Sequence, residues 1–315
     1  MLLSTFSSEK AALKRSYFRP IAGTLALLVF LLAGLEFGMR EVYSRVSRIE
    51  ARTHADYQAA LAIRPGGASH PNILLLGNSL LLEGIDYDGL RRAMEPRATP
   101  VRFVVESTTY LDWYYGIRRL LASGARPDRV VLCLSLSQLL TSRLRGEYSA
   151  FYLIQTPDLV RAGREAGLDL TGTSGLFFGR YSMFYAARNN FRNFALSRVD
   201  APYEKTLHGF TAAPGAQFSD AEILAKAASR LGELRSICSQ YGVEFTFLLP
   251  PGFGGGAEAL AEAGRRTGTM VLVPVPLNSW KEDLYADGFH LNQKGATEFT
   301  RILASALLQQ PSAVQ

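Results

Sequence analysis

Cysteine and histidine are scarce in this chain, with two of the former and four of the latter among 315 residues. Two cysteines cannot staple a disulfide scaffold. Cys133 lies in the apolar run Val130-Val131-Leu132-Cys133-Leu134 and Cys238 in a helical pattern, so both are read as buried free thiols. No spacing of Cys, His, Asp or Glu matches a metal site, and neither a metal nor an organic cofactor is expected. Runs of Lys or Arg are missing as well. The net charge of +6 and pI of about 9.3 are spread along the sequence. That describes a solvated basic surface and argues against a nucleic-acid-binding arm. Attraction to an anionic membrane or polymer stays open. The chain shows no internal repeat and no low-complexity tract.

What it does have is one long apolar run. Ile21 to Leu35 carries only apolar and small residues, Glu36 interrupts it, and Phe37-Gly38-Met39 extend it. At about 1.5 Å per residue, the stretch 21–39 is about 29 Å long, enough for a bilayer core. Lys10, Lys14, Arg15 and Arg19 precede it and Arg40, Arg45, Arg48 and Arg52 follow, so charge alone does not orient it. A cleaved signal peptide, or a hydrophobic helix packed on the domain, would leave similar traces. The length of the run and the lack of a small-x-small cleavage site after Leu35 favour a signal anchor. The expected layout is a short cytoplasmic tail (1–20), a single span of the inner, cytoplasmic membrane (21–39), a stalk and linker (40–68), and a domain (69–315) facing the periplasm or cell exterior. Glu36, near the outer end, is expected to snorkel or to pair with Arg40.

Within the domain, short apolar runs alternate with amphipathic segments. The pattern predicts strands over Asn72–Leu76, Val101–Glu106, Arg129–Leu136, Glu244–Leu249 and Met270–Val275. It predicts helices over Leu80–Met94, Leu111–Ser123, Asp220–Tyr241 and Gln293–Leu308, and helical character in the stalk from Glu41 to Ala62. Continuous apolar strands between helices mean an α/β fold with a parallel sheet covered on both faces. Residues 137–218 break the rhythm and hold ten aromatics between Tyr148 and Phe194. Three readings of this insertion stand side by side: a cap over the site, a face resting on the membrane, and satellite core. Tyr181, Phe184, Tyr185, Arg188 and Phe191 can share one helix face. Leu249-Pro250-Pro251 leads into Gly252-Phe253-Gly254-Gly255-Gly256, which lacks the Lys-Ser/Thr pair of a phosphate cradle and reads as a flexible loop at the mouth of the site.

Two segments carry the chemistry. Gly77-Asn78-Ser79 directly follows the first strand, and Asp287-Gly288-Phe289-His290-Leu291-Asn292 stands about two hundred residues later. A serine hydroxyl is too weakly acidic to attack an ester unaided. It needs a base, and the base needs a partner that fixes its tautomer and stabilises the imidazolium. Asp287 and His290 are three positions apart and can meet within one turn. A serine where a strand gives way to a helix is exposed at the sheet edge, with its own N–H at a helix N-terminus. Asn78 or Ser79 can also serve as an ordinary helix cap, and Asn292 is expected to cap the terminal helix. His54, His70 and His208 lie in no such context.

These segments resemble the first and last blocks of the SGNH/GDSL hydrolase superfamily, with Asn78 where Gly-Asp-Ser is usual. The resemblance spans roughly Asn72 to Leu308 and implies a flavodoxin-like three-layer fold. It also implies Ser79 as nucleophile, His290 as general base and Asp287 as its orienter. The middle blocks depart from it. The family places a glycine after the second strand and an asparagine after the third, both donating to the oxyanion. Here Glu106-Ser107-Thr108-Thr109 and Leu134-Ser135-Leu136-Ser137-Gln138 stand instead. Besides the N–H of Ser79, the candidate oxyanion donors are therefore Ser107, Thr108, Ser137 and Gln138. Intact end blocks beside divergent middle blocks are similar to membrane-anchored members that handle acyl groups on cell-surface polymers. The resemblance implies a serine esterase or O-acyltransferase acting on an acylated glycan or another ester, with a polytopic membrane acyltransferase as a possible partner. The competing expectation is an inactive scaffold that binds a glycan or such a partner. Hydrolysis and transfer share their first half-reaction, so the sequence leaves that choice open.

Overall fold

Alternation within short apolar runs builds the sheet of this computed structural model, which describes residues 5–95, 97–199 and 218–309. His208, the first residues of the tail and residues 200–217 of the insertion lie outside these. Helix α1 (Thr5–Phe37) continues through a π-helical turn (Gly38–Tyr43) and a short α2 (Ser44–Val46) to α3 (Arg48–Ala62). Then come β1 (Asn72–Gly77), α4 (Ser79–Gly84), α5 (Tyr87–Met94), β2 (Thr99–Val104), α6 (Tyr110–Ala122) and β3 (Arg129–Cys133). The insertion supplies α7 (Leu136–Leu140), α8 (Glu147–Leu153), α9 (Leu159–Glu165), α10 (Leu170–Tyr181) and α11 (Met183–Val199). The chain closes with α12 (Asp220–Ser239), β4 (Glu244–Leu248), α13 (Ala257–Thr267), β5 (Met270–Leu272) and α14 (Gln293–Gln309).

All strands pair in parallel, in the order β2-β1-β3-β4-β5. Leu74 and Leu76 of β1 enter one core while Ile73 and Leu75 enter the other. Val130 and Leu132 of β3 likewise oppose Val131 and Cys133. Side chains that alternate with period two place these cores on opposite faces of the sheet, giving the expected α/β/α layering. Each such fully buried aliphatic side chain contributes about 1.5–3 kcal/mol. The strand order turns back between β1 and β3, and sheets of this order open a crevice at the carboxyl ends there. Gly77 ends β1 at this point. A Cβ on it would come within 2.9 Å of the Cys133 carbonyl oxygen, so only glycine lets β1 and β3 run this close to their ends.

The sheet also separates the cysteines. Cys133 belongs to one core and Cys238 to the other, and both are free and buried. Burial pushes both thiols up, Cys238 to about 12. Thiolate is the reactive form. Titration with a disulfide reagent at mildly alkaline pH is therefore expected to find no reactive thiol in the native protein and both after denaturation.

Several elements differ from the sequence pattern. The helix predicted over Leu80–Met94 is two helices, because Ile85 is extended and Asp86 starts a new one by accepting from Gly89 N–H at 3.0 Å. Strand β2 begins earlier than predicted and includes Pro100. A proline is tolerated on this edge strand, and the Tyr87 hydroxyl bridges the edge by donating to Pro100 O and accepting from Arg102 N–H. Strand β3 stops at Cys133, short of Leu136, where a capping box between Ser135 and Gln138 starts α7. The segment read as a stalk does not stand clear of the domain. α3 packs along β2, burying Glu50, Thr53 and Ala60, and salt bridges Arg52–Glu106 (2.9 Å) and Arg102–Asp56 (3.2 Å) pin it there. Buried Glu50 accepts hydrogen bonds from Tyr148 at 2.8 Å and from Tyr152. Desolvation raises its carboxyl above the usual range despite these bonds.

The insertion supplies satellite core. Tyr148, Tyr152, Leu153, Leu176 and Met183 join the first core as satellite packing. The face proposed to run from Tyr181 to Phe191 is divided, because Ser182 is extended and ends α10 before α11 begins. The apolar run of α1 is long enough to cross a membrane and is unpacked, with Phe30 74% exposed.

Candidate active site

Ser79 is the first residue of α4 and stands at the carboxyl end of β1, at the crevice. Asn78, not Ser79, caps this helix: its Oδ1 accepts from Leu80 N–H at 3.0 Å. The serine hydroxyl is thereby released from capping and lies 2.9 Å from His290 Nε2. His290 Nδ1 lies 2.8 Å from Asp287 Oδ2. The other carboxylate oxygen, Oδ1, accepts from the N–H groups of Phe289 (3.0 Å) and His290 (2.7 Å). The segment 285–291 is closed by paired Tyr285 and Leu291, with Gly288 in the left-handed conformation that the tight turn needs. Desolvation pulls the Asp287 carboxyl upward, but the His290 and Phe289 N–H groups, the imidazole and its charge outweigh it and hold the group down at about 2. Asp287 is therefore a carboxylate throughout the neutral range, as the orienter of a base must be. Asn292 fulfils its capping role, accepting from Lys294 and Gly295 N–H, and donates to Asp283 O.

The oxyanion candidates divide. Ser79 N–H opens α4 and has no acceptor within the helix. Ser107 is exposed and left-handed, with φ of 58°, the backbone a glycine would adopt after this strand. Thr108 is buried. Its hydroxyl donates to Val105 O and accepts from Trp113 Nε1, so its side chain is committed to the fold. The amide of Asn78 donates to Thr108 O at 2.8 Å and ties this turn to the nucleophile's own. Val105 N–H adds a bond to Gly77 O. On the other side, Gln138 is committed to the capping box. Its N–H donates to Ser135 Oγ and its side-chain oxygen accepts from Ser135 N–H. Ser137 Oγ lies 3.1 Å from Ser135 Oγ. Gln138 thus caps α7 through its backbone N–H and its side-chain oxygen.

Three features escaped sequence reasoning. Asn78, besides the cap already expected of it or Ser79, is a tether, and its two-sided amide was the signal. Asp112, fully buried, accepts from the N–H groups of Thr109 and Arg145 and fixes the turn that carries Ser107, while burial pushes its carboxyl up to about 6. The glycine-rich loop is tethered: Gly254 and Asn278 exchange two hydrogen bonds and Asn278 N–H donates to Gly252 O. This loop brings the Phe253 ring to 4.8 Å from that of Tyr285, beside the histidine segment. Two clefts of about 510 and 570 Å³ open elsewhere, one between α6 and α12 and one beside α5. Neither includes Ser79.

No protein-family model matches this chain, and no curated protein matches it. Among solved structures it is similar to TesA, at 12% identity and a TM-score of 0.35, over 75% of this chain and 97% of that one. It is also similar to a presumed acylhydrolase from Bacteroides fragilis, at 8% identity and a TM-score of 0.36, over 83% of this chain and 94% of the other. At such distances the chemistry rests on the site's own geometry.

Proposed function

We propose that the protein is a membrane-anchored serine esterase or O-acyltransferase. The unbroken chain Ser79 Oγ–His290–Asp287 at the carboxyl end of β1 carries the reading. As Ser79 Oγ bonds to the acyl carbon, its proton passes to His290 Nε2 and the carbonyl oxygen becomes the oxyanion. Collapse breaks the bond to the leaving alkoxide, which takes the proton from His290, and leaves Ser79 acylated. Water or a sugar hydroxyl then gives its proton to His290, attacks the acyl-enzyme and regenerates Ser79. The N–H groups of Ser79 and the Ser107–Thr108 turn are the donors we assign to the oxyanion. The likeness of the two end blocks to SGNH/GDSL hydrolases agrees with this assignment.

The apolar span supports an anchor, and we assign it to the cytoplasmic membrane with the domain outside. We assign an acylated cell-surface polysaccharide as substrate and a polytopic membrane acyltransferase as partner, following the resemblance of the end blocks to membrane-anchored members of that superfamily. An inactive scaffold is the second reading. It draws on the engagement of the Gln138 N–H in a cap, which takes one backbone donor away from the α7 side of the oxyanion site. Loss of one such donor typically costs about 2.7–4 kcal/mol.

Release of acetate from an acetylated oligosaccharide by the full chain in detergent, with a second sugar present, tests the proposal and partitions water against sugar as acceptor. Product formation no faster than without protein would overturn it. Asp287→Asn is expected to lower kcat by up to about 10⁴-fold with little change in KM, because the imidazole loses its tautomer and partner. The same variant separates the pH terms. A depressed carboxylate stabilises the fold above its unfolded value and loses that contribution as pH falls toward about 2. Acid melting curves of Asp287→Asn should show a smaller loss than those of the wild type.

A further inference from the structure

We infer that the exposed face of α10 is a second membrane contact, lying in the lipid headgroup interface beside the span. The inference rests on the anchor assigned above. Leu170, Phe177, Phe178 and Tyr181 fall on one side of this helix and are 84%, 50%, 56% and 51% exposed. The opposite side is made of Gly175 and Gly179, which press against α8. A Cβ on Gly179 would lie 2.5 Å from Glu147 O, so the helix is held with its aromatic side outward. Contiguous exposed aromatics on an otherwise well-packed domain mark a contact surface.

Its position selects the occupant. α10 ends where the span ends. Arg40 Nη2 donates to Tyr181 O at 2.9 Å. Glu36 accepts from Ser182 Oγ (2.8 Å) and from the N–H groups of Met183 (2.8 Å) and Phe184 (3.1 Å), so a carboxylate of the span caps α11. Arg40 also pairs with Glu36. Arg19 and Arg40 bracket the apolar run and, at about 1.5 Å per residue, stand about 31 Å apart, the thickness of a hydrocarbon core. With Arg19 at the inner boundary, Arg40 and the Tyr181 carbonyl bonded to it lie at the outer one. Phe and Tyr beside Arg at that depth is the composition of an interfacial belt. A lipid surface is continuous with the span and meets this face without any further protein.

The test places single tryptophans in the full chain, reconstituted in phosphatidylcholine–phosphatidylglycerol vesicles brominated near the top of the acyl chain. Phe37→Trp, on the lipid-exposed end of the span, reports the anchor. Met270→Trp, on the far edge strand, reports solvent. The expected result is that Phe177→Trp and Phe178→Trp lose as large a share of their added emission as Phe37→Trp. Quenching no greater than that of Met270→Trp, with Phe37→Trp quenched, overturns the lipid contact alone and leaves the face to a protein partner. If Phe37→Trp is itself unquenched, the anchor fails and this inference with it.

Discussion

Replacing Ser79 with alanine is expected to lower turnover by about 10⁴–10⁶-fold while leaving the thermal midpoint nearly unchanged. The two halves of this expectation discriminate. A serine that served as a helix cap would cost about 1 kcal/mol on removal and move the midpoint. Here the cap is the Asn78 side chain, bonded to Leu80 N–H, and the Ser79 hydroxyl is bonded to His290. Alanine therefore removes a reactive oxygen and little else. Initial rates on an acetylated oligosaccharide, with a melting curve of the same preparation, read both quantities. A modest rate loss accompanied by a lower midpoint would mean that Ser79 is structural.

Asn78→Asp is expected to be the most damaging conservative change in the site, although it restores the commoner Gly-Asp-Ser sequence. Asn78 is fully buried, and its amide donates to Thr108 O while its oxygen accepts from Leu80 N–H. An aspartate keeps the second bond and sets a carboxylate oxygen against a carbonyl in place of the first. Leaving a buried polar group without its partner costs about 1–3 kcal/mol, and more for a charged group. Protonation would restore the donor, so the buried acid would have a raised pKa. A raised carboxyl binds protons in the fold at a pH where the unfolded chain has lost them. The variant's deficit should thus be small in acid and grow as pH rises toward neutrality. Because the lost bond tethers the Ser107–Thr108 turn, kcat should fall as well. Urea melts of both proteins across the acid range measure the effect, and a constant difference at all pH values would refute the role given to the amide.

The contrast between those two residues shows how much was legible. Asp287 and His290 could be read as a pair because three residues suffice to bring them together. Ser79, 211 residues from His290, could be read because the two end blocks resemble those of SGNH/GDSL hydrolases. β1 and β3 could be read because their apolar runs suit strands buried on both faces. What stayed hidden depended on tertiary contact. In Leu80–Met94 the break was announced only by Gly84 and Asp86, ordinary stop and cap signals inside a helical pattern. The predicted stalk owed its burial to Arg52, Asp56 and Glu50, whose partners lie some 50 to 100 residues away. The Gln138 N–H looked like a free donor until the capping box with Ser135 engaged it. Ser107 gave no sign that it would adopt a glycine's backbone.

The central claim is that Ser79 is a nucleophile activated by His290 and Asp287. A fluorophosphonate carrying a reporter, applied to the full chain in detergent and followed by peptide mass mapping, tests it most directly. The account predicts one adduct, on Ser79, absent from Ser79→Ala and strongly slowed in His290→Ala. A folded wild-type protein that stays unlabelled, or a label that persists in Ser79→Ala, would contradict it.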